Sequence, residues 1–219
     1  MVRARLKELS VEEIANTLTH GVGLILSVAG FVFLLTLAVW KGNGWHIASS
    51  VIYGLSLVTL YAASTLYHSA TSPRAKERLQ LIDHCCIYLL IAGSYTPFTL
   101  IVLRDGIGRN LFIFAWVFAA AGILMKIFRK VRSGPLSAVT YLLMGWIGVV
   151  AIEPLYHAVG IVPIALIGAG GVSYTIGTIF FGWHSLKHHH AIWHLFVLSG
   201  SVLHFIAIAG YIIPYTMNL

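Results

Sequence analysis

Seven apolar runs alternate with short polar connections along the chain, at residues 18–40, 45–68, 81–103, 111–128, 136–153, 161–182 and 190–212. A helix needs about 20 such residues to cross the hydrocarbon core of a bilayer, and each run is close to that length. The connections carry the residues that stop and start helices: KGNG at 41–44, SATSPRAKERLQ at 69–80, RDGIGRN at 104–110, RKVRSGP at 129–135 and PLYHAVG at 154–160. Connections this short make consecutive helices antiparallel. The pattern predicts an all-α integral membrane protein, a seven-transmembrane-helix bundle over 18–212, with an interfacial segment at 1–17 and a short tail at 213–219. Ser10 and Glu13 have the spacing of a capping box, so residues 11–17 are expected to begin a helix at the membrane surface before it enters.

Composition sharpens the picture. Hydrophobic residues make up 58% of the chain and charged ones 10%, against about 25% charged in a soluble domain, which excludes a soluble fold. Lys and Arg retained on the cytoplasmic side set orientation. Arg3, Arg5 and Lys7, then Arg74, Lys76 and Arg78, then Lys126, Arg129, Lys130 and Arg132, and finally Lys187 fall on one side; Lys41, Arg104 and Arg109 fall on the other. The N-terminus is therefore expected in the cytoplasm and the C-terminus outside. The net charge of +7 is spread over connections without a basic stripe, so anionic lipid headgroups fit as partners and nucleic acid does not. The basic start is followed by polar VEEIANT rather than an apolar core with a cleavage site, so no cleaved signal peptide is expected. Cys85 and Cys86 are adjacent, a poor geometry for a disulfide, and read as packed free thiols.

Small residues cluster inside the spans at Ala119 to Gly122, Gly145 and Gly148, and Gly168, Gly170, Gly171 and Gly177, where they let helix backbones approach. Trp40, Trp183 and Tyr211 fall near span boundaries as interfacial anchors, and Glu153 sits at an outer interface that tolerates a carboxylate.

Ionisable groups at membrane depth need a separate account, because they are costly there. Ser64 and His68 lie four apart near the end of span 2, Asp83 near the start of span 3, and His190 and His194 four apart at the start of span 7. Spacing of four puts each pair on one helix face. Span 2 runs outward to inward while spans 3 and 7 run the other way, so all five fall in the cytoplasmic half. An isolated HxxxH is as readily a helix-end pair at the interface; sharing one membrane level with His68 and Asp83 favours a metal site. Three imidazoles, His68, His190 and His194, match the three-protein-ligand set of catalytic zinc. Asp83 then suits a general base or an orienting group, and Ser64 a hydrogen-bond donor to ligand or substrate. No HExxH occurs, which removes that class of metalloprotease.

The other histidines fit less well. His188 and His189 read as a solvated helix start and His184 as a loop residue, while His46 and His157 belong to the opposite interface. His20, beside Asn16, and His84 are candidates for supporting positions around the site. His204 lies about 15 Å deeper than His194 by helical rise and is expected to pack or to line a cavity.

The segments EEIANTLTHGVG at 12–23, STLYHS at 64–69, IDHCCIYLLIAGSYTPF at 82–98 and HAIWHLFVLSGSVLHF at 190–205 resemble the hemolysin III proteins, bacterial relatives of the progestin and adipoQ receptors, over nearly the entire chain. The resemblance implies a multi-pass protein of the bacterial plasma membrane. It further implies a zinc held by three histidines with an aspartate on its water, which here fall on His68, His190, His194 and Asp83, with Ser64 beside them. Two functions follow from it. One is hydrolysis of a lipid amide, as in ceramidases, or lipid sensing with the same machinery, in membrane-lipid homeostasis; the other is cytolysis through a pore, with a non-catalytic receptor as a further alternative. A pore prefers a polar stripe across the whole bilayer, whereas the polar cluster lies in one half, so a site is expected rather than a conduit.

Overall fold

The computed structural model describes residues 10–129 and 134–215. The basic arm with Arg3, Arg5 and Lys7, the pair Lys130 and Arg132, and the last residues of the tail lie outside that range. Among the described residues every regular element is helical: α1 Val11–Lys41, α2 Gly44–Ser69, α3 Pro73–Pro97, α4 Gly108–Arg129, α5 Pro135–Trp146, α6 Ile152–Val159, α7 Ile161–Gly182 and α8 His189–Ala207. A π turn, Phe98–Val102, extends α3, another, Ile208–Ile212, extends α8, and a 3₁₀ segment, Ile147–Ala151, joins α5 to α6. Seven helical stretches are long and apolar enough to cross a membrane, α5 and α6 together forming the fifth.

Helix starts depart from the apolar pattern in instructive ways. Ser10 caps α1, its Oγ accepting from Glu13 N at 3.2 Å, and the helix runs unbroken from there into the first span. The reciprocal half of the expected capping box is absent, because the Glu13 carboxylate is turned elsewhere. The polar stretch SATSPRAKERLQ, expected as a connection, is helical from Pro73 onward, with Ser72 as N-cap and proline at the first position, where its missing N–H costs nothing. Likewise PLYHAVG is helix rather than loop: Pro154 falls in the first turn of α6, and Gly160, at φ 75°, supplies the left-handed turn into α7. At the opposite end of α2, His46 is a capping residue. Its Nδ1 accepts from Asn43 N at 3.2 Å while Asn43 Oδ1 accepts from Trp45 N at 2.9 Å.

The helices form a ring. α1 packs along α2, α2 along α3, α5 bridges α3 and α7, α7 packs along α8, α8 closes on α1, and α4 lies outside against α3. α2 and α3 are the innermost spans, each 56% buried over its apolar window, against 17% and 11% for the fifth and sixth. Residues on α2 and α3 are thus the ones shielded from lipid. Lipid tails are as apolar as a leucine core, so close contacts and interhelical hydrogen bonds hold such a bundle. Gly177 sits under Trp193 and Phe196 and Gly170 under His204, which lets α7 and α8 meet. Gly145 and Gly168 have no such neighbour; contrary to the packing role expected of them, they line a cavity.

The break in the fifth span is chemically accounted for. Leaving α-helical geometry strands backbone groups that lipid cannot satisfy, and the Tyr95 hydroxyl reaches from α3 to supply them. It lies 2.9 Å from Met144 O and 2.7 Å from Gly145 O, and accepts from Gly148 N at 2.8 Å.

Candidate metal centre

Four helix ends meet at one end of the bundle: the starts of α1, α3 and α8 and the finish of α2. There His68, His190 and His194 each offer a ligand nitrogen, and these nitrogens lie within 4.8 Å of one another. The ring centroids are 5.0 Å apart for His68 and His190, 5.0 Å for His68 and His194, and 4.6 Å for His190 and His194. Among the described residues this is the only group of three such donors with that spacing. Three neutral imidazoles gathered in this way could hold a metal ion.

Hydrogen bonding supports the fit. His68 is 2% exposed, its Nδ1 donates to Glu13 Oε2 at 2.7 Å, and its Nε2 is buried with no partner. Such an orphaned acceptor is expensive in a low dielectric unless something binds it. His194 is 1% exposed; its Nδ1 meets Asn16 O at 3.2 Å and Thr19 Oγ1 at 3.0 Å. The Thr19 hydroxyl itself donates to helix carbonyls, so Nδ1 carries the proton in both rings and Nε2 keeps the lone pair. Acceptors behind ligand histidines of this kind are the usual outer support of a metal.

Asp83 and Ser64 stand beside the cluster without joining it. Ser64 and Asp83 both line the cavity beside it, and Ser64 Oγ is hydrogen-bonded to His20 Nδ1 at 2.7 Å. The His20 ring lies flat on His194, with centroids 3.4 Å apart and planes 14° apart. His20, Ser64 and Asp83 extend the polar surface from the histidines into the bundle. His84 lines the same cavity, and Tyr141 Oη donates to its carbonyl at 3.0 Å.

That cavity, of about 270 Å³, runs from His190, His194, Ser64 and Asp83 past Leu90 and His204 to Leu103, Leu155 and Ile164. Its walls are polar at the histidine end and mostly apolar beyond. His204 lines it as expected, its Nδ1 donating to Gly200 O at 2.9 Å. His189 is not simply solvated: its Nδ1 donates to Phe180 O at 3.0 Å and so ties the start of α8 to the end of α7. Cys85 and Cys86 are free thiols, as expected.

Sequence reasoning missed Glu13, Asn16 and Thr19. The spacing Glu13, Asn16, His20 was visible as one helix face, but the capping-box reading had already explained Glu13. A further departure concerns α2, whose buried face stays polar well beyond the site: Tyr61, Ser56, Tyr53, Ser50, Ser49 and His46 are all buried. Polar residues are thus not confined to one half of the bundle.

Comparison with known proteins finds relatives along nearly the whole chain. A family model described as haemolysin-III related matches residues 10–205. The hemolysin-3 homolog of Bacillus subtilis (strain 168) is 45% identical over 200 residues, covering 91% of this chain and 94% of its own. Hemolysin-3 of Bacillus cereus is 43% identical over 210 residues, 96% of each chain. More distantly, the monocyte to macrophage differentiation factor of Homo sapiens is 27% identical over 216 residues, 95% of this chain and 87% of its own. With the bundle, its seven spans and these matches in hand, the chain belongs to the haemolysin-III-related family of multi-pass bacterial membrane proteins.

Proposed function

We propose that this protein is a zinc-dependent hydrolase of a membrane-lipid amide, ceramidase-like in its chemistry and serving membrane-lipid homeostasis. The observation that carries the reading is the cluster of three histidines, two of which, His190 and His194, line the polar end of a mostly apolar cavity. His68, His190 and His194 would hold the zinc. Zinc in such a site supplies Lewis acidity and lowers the pKa of water at neutral pH. Asp83, in the cavity wall beside Ser64, would take a proton from the water that adds to the amide carbonyl and return it to the amine that leaves as the C–N bond breaks. Ser64, held by His20, orients that carboxylate or the substrate oxygen. Leu90, Ile164, Ile167 and Leu103 offer the lipid chain an apolar path. The charge distribution along the sequence supports a cytoplasmic location for the site.

The test is release of fatty acid from a panel of lipid amides by detergent-purified protein. Wild type is expected to turn over at least one substrate, and Asp83→Asn to retain metal yet lose about 100-fold or more in rate, the scale of a lost general base. No release from any substrate by zinc-loaded wild type would count against the enzyme. A lipid that raises the melting temperature without being cleaved would then favour sensing.

Gly168→Phe is a second probe. A Cβ at this cavity-lining glycine meets nothing within 4 Å, so an aromatic ring there can occupy the lipid path. Zinc retention equal to wild type with turnover reduced about tenfold or more is the expected outcome; unchanged turnover would remove the cavity from the substrate's route.

The printed names of the Bacillus relatives support a second reading, cytolysis, to which the polar face of α2 adds some weight. Against it, Leu34, Leu57, Ile208 and Ile212 pack with Tyr53 in the core, and the cavity is not lined by Ser49, Ser50 or Tyr53. Leakage of dye from liposomes is the measurement that favours this alternative.

A further inference from the structure

The carboxylate of Glu13 is shared between two partners from two other helices. Oε2 accepts from His68 Nδ1 at 2.7 Å and Oε1 from Lys76 Nζ at 2.6 Å. Its side chain does not return the capping bond to the Ser10 backbone N–H, and both carboxylate oxygens are given to these partners. Lys76, in the first turn of α3, also lies over the Tyr67 ring at 5.1 Å. The carboxylate is thereby fixed from α3 and presented to α2, at the boundary where its own side chain is 26% exposed and that of His68 is 3% exposed.

We infer that Glu13 is a positioning residue of the metal site, setting the tautomer, orientation and basicity of His68; this rests on the zinc reading above. Three observations carry it. The Nδ1–H donated to Glu13 leaves the lone pair on Nε2, and that atom is the buried one without a partner. The supports of His194 are neutral, a carbonyl and a hydroxyl, and among the described residues Glu13 provides the one carboxylate hydrogen-bonded to any of the three rings. An anionic acceptor makes an imidazole a stronger donor to a cation, and removal of such partners typically weakens metal binding about 10–100-fold. The bond joins residues 55 positions apart, so docking of α1 against α2 becomes a condition for a tight site.

The test measures zinc affinity of the full-length, detergent-purified protein by competition with a chromophoric chelator. Glu13→Ala is expected to weaken zinc binding about 10–100-fold. Glu13→Gln, close in shape and still an acceptor but uncharged, should fall between Glu13→Ala and wild type, and it keeps the test available if the alanine variant does not fold. Glu12→Gln, on the neighbouring position, should bind as wild type does. The visible spectrum of the cobalt-loaded protein should shift in both Glu13 variants, since it reports ligand geometry. Wild-type zinc affinity in the Glu13 variants, even with a lowered melting temperature of the metal-free protein, would reduce Glu13 to an interhelical clip and overturn the inference. So would an equal loss in Glu12→Gln. Absence of zinc binding by wild type would overturn the metal centre itself, which the other outcomes leave standing.

Discussion

His194→Ala is expected to strip the protein of metal altogether. Elemental mass spectrometry on untagged, detergent-purified protein after a mild chelator should find about one zinc per wild-type chain and under about a tenth of that in the variant, since three protein ligands are the minimum of a retained zinc site. His194 is the most demanding of the three positions. It is 1% exposed, its ring faces His68, His190 and the flat of His20, and its Nδ1 is held by Asn16 and Thr19. Alanine there removes a ligand and unstacks His20, which in turn loosens its grip on Ser64. His68→Ala and His190→Ala should lose metal similarly. His204→Ala is the matched control: it shares the helix and the cavity, but its ring bonds to Gly200 O and stands about 15 Å along the helix from His194, so zinc content should be unchanged. Full retention in His194→Ala, or no tightly bound metal in wild type, would defeat the hydrolase reading and move cytolysis or lipid sensing ahead of it.

The reach of the sequence here was set by what periodicity and spacing can encode. Hydropathy and length located all seven spans because the bilayer demands roughly the same run of apolar residues from each. It located their ends poorly wherever a helix continues through polar residues, as α3 does from Pro73 and α6 through Pro154, because water satisfies the helix there and hydropathy carries no signal. The break at Ile147–Ala151 was invisible for a different reason: it depends on a tyrosine 53 positions earlier. His68, His190 and His194 could be grouped because antiparallel spans put their ends at one level, and the structure does bring them together. Glu13 could not, since its partners are fixed by the rotation of α1 about its own axis, which neither span length nor charge bias determines. The same holds for Gly145 and Gly168: a small residue is equally consistent with close packing and with an open wall, and only the neighbouring helix decides.

Gly23→Ala is the substitution expected to harm the fold most for the least chemical change. A Cβ on this residue would come within 2.4 Å of two ring carbons of Tyr61, and Tyr61 has nowhere to retreat. It is 1% exposed, its hydroxyl donates to Ser201 at 2.9 Å, and its ring meets His20 edge-on at 5.0 Å. Overpacking of a closed core costs about 1–3 kcal/mol, and here the strain is passed through Tyr61 toward His20 and the histidine cluster. Gly21→Ala provides the comparison on the same helix, because its added methyl group touches only Thr65 at 4.0 Å. Alanine is better in a helix than glycine by about 0.8–1 kcal/mol, so Gly21→Ala should be neutral or stabilising. Melting curves of the two variants in one detergent are therefore expected to diverge in opposite directions from wild type, and zinc affinity should fall only in Gly23→Ala. Equal melting temperatures would mean that α1 can slide away from α2 without cost, and a site that depends on Glu13 and His20 reaching across that interface could not then be held by it.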